Sequence, residues 1–214
     1  MSLLDLDALA AQPLVTDPYD YVVVKDFVRP EGAAAIGADY PQVAKPGSFA
    51  LDDVEVKGRF AQLIEEMNGD RFRQEIERKF GLDLTGLPTT FTVRGVCGAN
   101  DGQIHTDSKT KVITVLVYLN EPWAPDGGRL RLLRSGEDLE AVAAEVPPDF
   151  GTLLVFRRSD HSWHGHKPFS GPRRVLQMNW VVSQRVAGWQ MFRHRLSAAV
   201  KRLTPGERAK TAAA

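Results

Sequence analysis

The spacing of hydrophobic residues changes character near Pro88. Before that point a helical period dominates. In GRFAQLIEEMNG (58–69) Phe60, Leu63, Ile64 and Met67 recur at three and four. In DRFRQEIERKFG (70–81) Phe72, Ile76 and Phe80 recur at four. Both runs predict amphipathic helices laid against a sheet, ended by Gly69 and Gly81. Further upstream, YVVVKDFV (21–28) is β-branched and aromatic and predicts a strand. RPEGAAAIGADYP (29–41) predicts a short helix opened by Pro30 and Glu31.

After Pro88 short strand-like runs alternate with turns. The runs are TFTVRGV, QIHTD, KVITVLVYLN, GRLRLL, GTLLVF, SWHGH and RRVLQMNWVVS. Turn residues separate them at Gly98 to Gly102, Pro122 to Gly128, Ser135-Gly136, Pro147-Pro148 and Gly171-Pro172. This spacing predicts a β-sandwich or barrel-like core. GWQMFRHRLSAAVKRL returns to a helical pattern. The expected organisation is one domain over 1–214. A strand with buttressing helices fills 1–87, the β core 88–185, and a C-terminal helix and tail 186–214. The fold class is mostly β with flanking helices, an α+β arrangement.

Composition narrows the function classes. Lys plus Arg and Asp plus Glu both number 27, so the formal net charge is +0. A nucleic-acid partner, which leaves a basic footprint, is not expected. The basic run near the C-terminus reads as the solvated face of a helix. Cys97 is the single cysteine, which excludes an internal disulfide and a cysteine-based zinc site. It reads as a small buried hydrophobe. MSLLDLDALAAQPL has no basic n-region, so no secretion signal is expected. No apolar run approaches the roughly 20 residues that span a bilayer. A cytoplasmic protein without membrane partners fits these features.

The candidate chemistry lies in the strands. Of five histidines, three crowd into DHSWHGH as His161, His164 and His166, while His105 stands with Asp107 in QIHTD. Residues i and i+2 of a strand face one side, so His105 and Asp107 can aim at one point. A third ligand from another strand would complete two imidazoles and one carboxylate, a set suited to Fe(II) with open positions. H-x-D alone is a weak signal. Downstream, His164 opens H-x-x-x-P at Pro168, and Arg173 follows beyond the turn at Ser170-Gly171-Pro172. That spacing predicts His164 and Arg173 on adjacent antiparallel strands. An arginine fork there could grip a carboxylate through two hydrogen bonds.

Taken together, His105-x-Asp107, VYLN ending at Asn120, Gly127-Gly128-x-Leu130, P-x-x-G-T-L-L-V-F (148–156), His164-x-x-x-Pro168 and Arg173 resemble the iron(II)/2-oxoglutarate-dependent dioxygenases, in the branch that includes the prolyl hydroxylases. The resemblance covers about residues 90–183. It implies a double-stranded β-helix, a squashed jelly-roll of cupin-like type. It also implies His105, Asp107 and His164 as iron ligands and Arg173 on the distal carboxylate of 2-oxoglutarate. Tyr118 would donate to the same carboxylate, with Leu116 as an apolar wall and Thr114 on the same strand face. The implied reaction is hydroxylation of a C–H bond with release of succinate and CO2. Its cofactors are Fe(II), 2-oxoglutarate and O2, with ascorbate as an optional reductant. The substrate is a peptide or protein side chain, or a small metabolite.

Alternatives remain open at several positions. His166 and His161 compete with His164 as third ligand, and Arg174 competes with Arg173. His166, Arg94, Gln177, Asn179, Trp163 and Leu130 are candidates for supporting the site or meeting substrate. Trp123 could border a substrate cleft, whereas Trp180 and Trp189 read as packing residues. Arg129 and Arg131 alternate with Leu130 and Leu132, which suggests a half-exposed strand. Asn100-Asp101-Gly102 reads as a turn without chemistry. His164-Gly165-His166 also mimics a cupin H-x-H, but KPFSGPRR lacks the following Glu. A cupin-like enzyme of another reaction type and a non-catalytic module on the same fold are the competing readings. Neither substrate identity nor oligomeric state is legible.

Overall fold

A computed structural model describes residues 2–183. The expected C-terminal helix, with Trp189 and His194, lies outside the described residues.

Among the described residues nine strands form two sheets. β1 (Tyr21–Val24), β2 (Phe49–Ala50), β3 (Thr89–Cys97), β4 (Lys111–Tyr118), β7 (Leu153–Arg157) and β9 (Gly171–Val181) make a six-stranded sheet in the order β1-β7-β4-β9-β3-β2. β5 (Leu130–Leu133), β6 (Val142–Val146) and β8 (His164–Gly165) make a three-stranded sheet in the order β6-β5-β8. All the strand pairings are antiparallel. Four helices precede β3: α1 (Leu6–Ala11), α2 (Ala33–Asp39), α3 (Gly58–Met67) and α4 (Asp70–Phe80).

Alternation along the strands builds two cores, because successive side chains point to opposite faces of a sheet. One face of the large sheet carries Val93, Ile113, Val115, Val117, Leu176, Met178 and Trp180. These pack in one cluster with Phe60, Leu63 and Met67 of α3 and Phe72, Ile76 and Phe80 of α4. Phe72 is fully buried, with its ring centroid 5.7 Å from Phe27 and 6.1 Å from Trp180. The opposite face gathers Tyr118, Leu154, Phe156 and Val175. They join Leu130, Leu132 and Val146 of the small sheet in a second cluster. The two sheets therefore enclose this second core between them.

Departures from the sequence reading have local causes. The strand expected over 21–28 ends at Val24, because Asp26 takes a left-handed φ of 54° and Val28 pairs with Leu4 instead. Asn68 ends α3, and Gly69 is the N-cap of α4 with an ordinary φ of −82°. Gly81 does cap α4, with φ 61°. QIHTD is not a strand: it touches the small sheet through the single bridge between His105 and His164. α1, β2 and β6 were not expected; they are short, and VAAEV (β6) carries only a weak apolar signal. Arg131 is buried rather than half-exposed, because it pairs with Glu140 at 2.9 Å and Glu145 at 2.8 Å. Among the described residues no helix is long and apolar enough to cross a membrane.

Phe72 joins the helices to the sheet, so Phe72→Ala should destabilise the fold by about 3–5 kcal/mol through lost burial and a residual cavity. Urea unfolding of the two proteins measures it. A loss below about 1 kcal/mol would mean that α4 is not seated on Trp180.

Candidate active site

A pocket opens between the sheets, and register determines which side chains reach it. On β4, Thr114, Leu116 and Tyr118 share the inner face. They lie opposite Asn179, Gln177 and Val175 of β9. On the other side of β9, Thr90, Thr92 and Arg94 of β3 oppose the same three residues. The pocket is lined by Thr114, Leu116, Tyr118, Arg94, Arg173, Val175 and Gln177 of the large sheet. Phe156 of β7, Leu130, His164 and Gly165 of the small sheet, and His166, Gly102, His105 and Asp107 complete it.

His105, Asp107 and His164 converge, with one potential ligand atom from each lying within 4.8 Å of the other two. The imidazole centroids are 4.3 Å apart. Each ring is oriented through Nδ1. His105 Nδ1 lies 2.8 Å from the Gln103 carbonyl, and His164 Nδ1 lies 3.0 Å from the Ser162 carbonyl. An Nδ1–H donated to a carbonyl leaves Nε2 as the lone pair available to a metal. Burial pulls the His164 pKa down to about 4, although the Asp107 charge works against that shift. The ring is therefore neutral near pH 7, the form that ligates.

Asp107 is ionised for a different reason. Burial alone would push its pKa up, but Lys111, His164 and the Thr114 hydroxyl together hold it well below the usual carboxylate range. Lys111 Nζ lies 2.7 Å from Oδ1, and Thr114 Oγ1 donates to Oδ2 at 2.5 Å. Asn179 lies behind Thr114, its Oδ1 3.3 Å from Oγ1; that oxygen accepts from Gln177 at 3.0 Å, while Asn179 Nδ2 donates to Thr90. Asn179 is buried beside the pocket rather than lining it.

Arg173 and His164 do not lie on adjacent strands. β8 pairs with β5 in the small sheet, whereas β9 pairs with β3 and β4 in the large one, so the two residues belong to different sheets that share the pocket. The turn between them carries the chain across the sandwich instead of closing a hairpin. Arg173 is buried, with its Nε donating to the Gly128 carbonyl at 2.7 Å and its guanidinium 5.2 Å from the Tyr118 ring centroid. Arg174 points to the other face, over Tyr40. The Tyr118 hydroxyl is buried without a hydrogen-bond partner. Burial pushes the phenol's pKa up, so it keeps its proton for donation even beside Arg173. A buried donor beside a buried arginine fork fits an incoming carboxylate, which would satisfy both.

The remaining candidates separate clearly. Leu130 and Leu116 form apolar wall. His166 is buried at the pocket, with Nδ1 2.8 Å from the Lys167 carbonyl and Nε2 3.8 Å from Cys97 Sγ. Burial and the Arg173 charge pull its pKa down to about 4. His161 is exposed and does not join the cluster of His105, Asp107 and His164. Trp163 lies against Gly136 and outside the pocket lining, and Trp123 meets Phe169 edge-on elsewhere. Arg94 lines the pocket while its Nε donates to Ser48 at 3.0 Å and its Nη1 meets Asp101 at 3.3 Å. The turn read as carrying no chemistry thus positions a pocket arginine. Gly102 is needed there: at its φ of +88° an added Cβ would fall 2.4 Å from the His166 ring. Ser48 and Asp101 lacked any motif; only the asparagine–aspartate–glycine turn hinted at a tight approach.

Comparison with known proteins gives the same architecture. Residues 94–182 match the profile of the 2OG-Fe(II) oxygenase superfamily. The crystal structure of a Pseudomonas putida prolyl-4-hydroxylase superposes with a TM-score of 0.54 at 20% identity, covering 82% of this chain and 88% of that one. A prolyl 4-hydroxylase from Phytophthora capsici gives 0.58 at 20% identity over 90% and 75% of the two chains. A prolyl hydroxylase from Trichoplax adhaerens, solved with a peptide fragment of the hypoxia inducible factor oxygen degradation domain, gives 0.53 at 16% over 86% and 90%. At these identities the likeness is one of fold. No curated protein sequence matches the chain.

Two histidines held neutral by burial make the metal-free protein acid-sensitive. Their folded pKa of about 4 lies below the unfolded value of about 6.5. The unfolded chain therefore takes up protons first as pH falls. The stability they contribute is complete above about pH 6.5 and is lost progressively down to about pH 4, by roughly 1–2 kcal/mol per histidine at pH 5. Urea unfolding in EDTA at pH 7.5 and 5.0 measures the loss. Equal stability at both values would show that these imidazoles are solvated.

Proposed function

We propose a hydroxylating role for this chain, whose residues 94–182 belong to the 2OG-Fe(II) oxygenase superfamily. The protein is an Fe(II)- and 2-oxoglutarate-dependent oxygenase, and the finer assignments are inferred. One observation carries them. The facing ligand atoms of His105, Asp107 and His164 share a pocket with Arg173 and with the partnerless Tyr118 hydroxyl. The two sheets are read as a double-stranded β-helix, with the described residues as one dioxygenase domain.

His105, Asp107 and His164 would hold Fe(II). Two neutral imidazoles and one carboxylate leave positions free for a chelating cosubstrate and O2. Fe(II), 2-oxoglutarate and O2 together supply the power to hydroxylate a C–H bond, releasing succinate and CO2. The chain's own groups bind and orient. Arg173 grips the distal carboxylate, and its Nε bond to Gly128 fixes the fork. Tyr118 donates its hydroxyl to the same carboxylate, while Leu116, Leu130 and Val175 keep that end dry and strengthen both contacts. Thr114 fixes the rotation of Asp107.

The substrate is read as a peptide side chain in the manner of prolyl hydroxylases, or as a small metabolite. The Trichoplax adhaerens relative, which holds a peptide fragment, supports the first. The single cysteine suits a reducing compartment such as the cytoplasm.

An anaerobic titration of Fe(II)-loaded protein with 2-oxoglutarate, followed by visible absorption, tests the assignment. A weak charge-transfer band should saturate in the wild type and be absent in His164→Ala. Arg173→Ala should weaken the 2-oxoglutarate midpoint by about tenfold or more and leave Fe(II) affinity unchanged. Iron binding with no band in the wild type would remove 2-oxoglutarate from the site.

A further inference from the structure

Asp107 already has a cation on it. Lys111 Nζ lies 2.7 Å from Oδ1, with the lysine and aspartate side chains 13% and 10% exposed. The Arg73–Glu77 pair on α4 is more open, at 22% and 17%, and Lys57–Glu55 is open to water at 54% and 74%. The second oxygen, Oδ2, is taken by Thr114. Both oxygens of the carboxylate are thus engaged, one of them by a full positive charge in a place that salt and solvent screen poorly.

Resting on the reading of His105, Asp107 and His164 as metal ligands, we infer that Lys111 is the fixed counter-ion of Asp107 and competes with the divalent metal for that carboxylate. A buried carboxylate without a partner is strongly unfavourable, so the lysine keeps the ligand charged and in position. The same ammonium opposes a metal ion, because two cations sharing one carboxylate sit within a few ångström of each other in a weakly polar pocket. A lysine suits this double task. Its flexible four-carbon stem lets the charge draw back from Oδ1, which a forked arginine would resist. The affinity of the site is therefore set by Lys111 as well as by the three ligands, and the bound metal is more readily exchanged.

The test uses Mn(II) as a redox-inert probe, with calorimetric titration of the wild type, Lys111→Met and Lys111→Arg, and thermal unfolding of each in EDTA. Lys111→Met should bind Mn(II) about tenfold more tightly than the wild type while melting at a lower temperature without metal. Lys111→Arg, which keeps the charge, should bind no more tightly than the wild type. Lys111→Gln serves as a second neutral variant should the methionine variant fail to fold. Equal or weaker Mn(II) binding by the neutral variants would overturn the inference and leave Lys111 as an orienting group. Absence of Mn(II) binding by the wild type would instead overturn the metal-site reading, and this inference with it.

Discussion

The register of β4 against β9 is the constraint on which the pocket depends. Thr114, Leu116 and Tyr118 face inward because they lie opposite Asn179, Gln177 and Val175, while Ile113, Val115 and Val117 face the helices. A slip of one residue would bury Tyr118 among the apolar side chains of α3 and α4 and turn Val117 toward Arg173. The slip is prevented from both directions. Outside, Trp180 and Met178 pack in one cluster with the helices; inside, Thr114 donates to Asp107. The apolar face therefore supplies most of the energy that specifies the register, and the polar face uses the result. β7, paired along the other edge of β4, adds Leu154 and Phe156 to the inner wall by the same parity.

Burial then divides the pocket electrostatically. Removal from water drives His164 and His166 toward their neutral forms and would do the same to Asp107. Only Asp107 has close cationic and hydroxyl partners that reverse the effect. The proposed metal end thus contains one stable negative charge, Asp107, beside the neutral His164 imidazole. The far end contains the Arg173 guanidinium beside a phenol that keeps its proton. A dicarboxylate that chelates at one end and presents its second carboxylate at the other matches this division. Asp107, His164 and Tyr118 hold their protonation states through their surroundings, so none of the three need gain or lose a proton when such a ligand enters.

Much of this was legible in the sequence, for reasons particular residues make clear. The helix pair was readable because Phe60, Leu63 and Met67, and then Phe72, Ile76 and Phe80, bury one face of each helix. Parity within β4 and β9 was readable because both strands are long and their pairing keeps one register from Ile113 to Tyr118. Parity failed for His105 and Asp107, which converge although QIHTD is no strand: a single bridge to His164 and a carbonyl contact at each ring replace the strand geometry. The placement of His164 and Arg173 in different sheets was also illegible. A short gap with a turn looks the same whether the chain folds back as a hairpin or crosses between layers.

The least legible part is the rim of the pocket, and this follows from how it is assembled. Arg94 is held by Ser48, which comes from the segment leading into β2, and by Asp101, from the turn after β3. Asp101 is itself fixed by the Gly98 amide at 2.9 Å. None of these residues is periodic, and each has an ordinary solvated role in isolation. They meet because β2 pairs with β3 at Phe49 and Val93, which brings Ser48 to the same inner face as Arg94. A core announces itself in sequence because many residues repeat one requirement. A rim satisfies its requirement once, with residues gathered from distant segments. A sequence can therefore carry the chemistry of a reaction plainly while leaving the identity of what is hydroxylated to the folded surface.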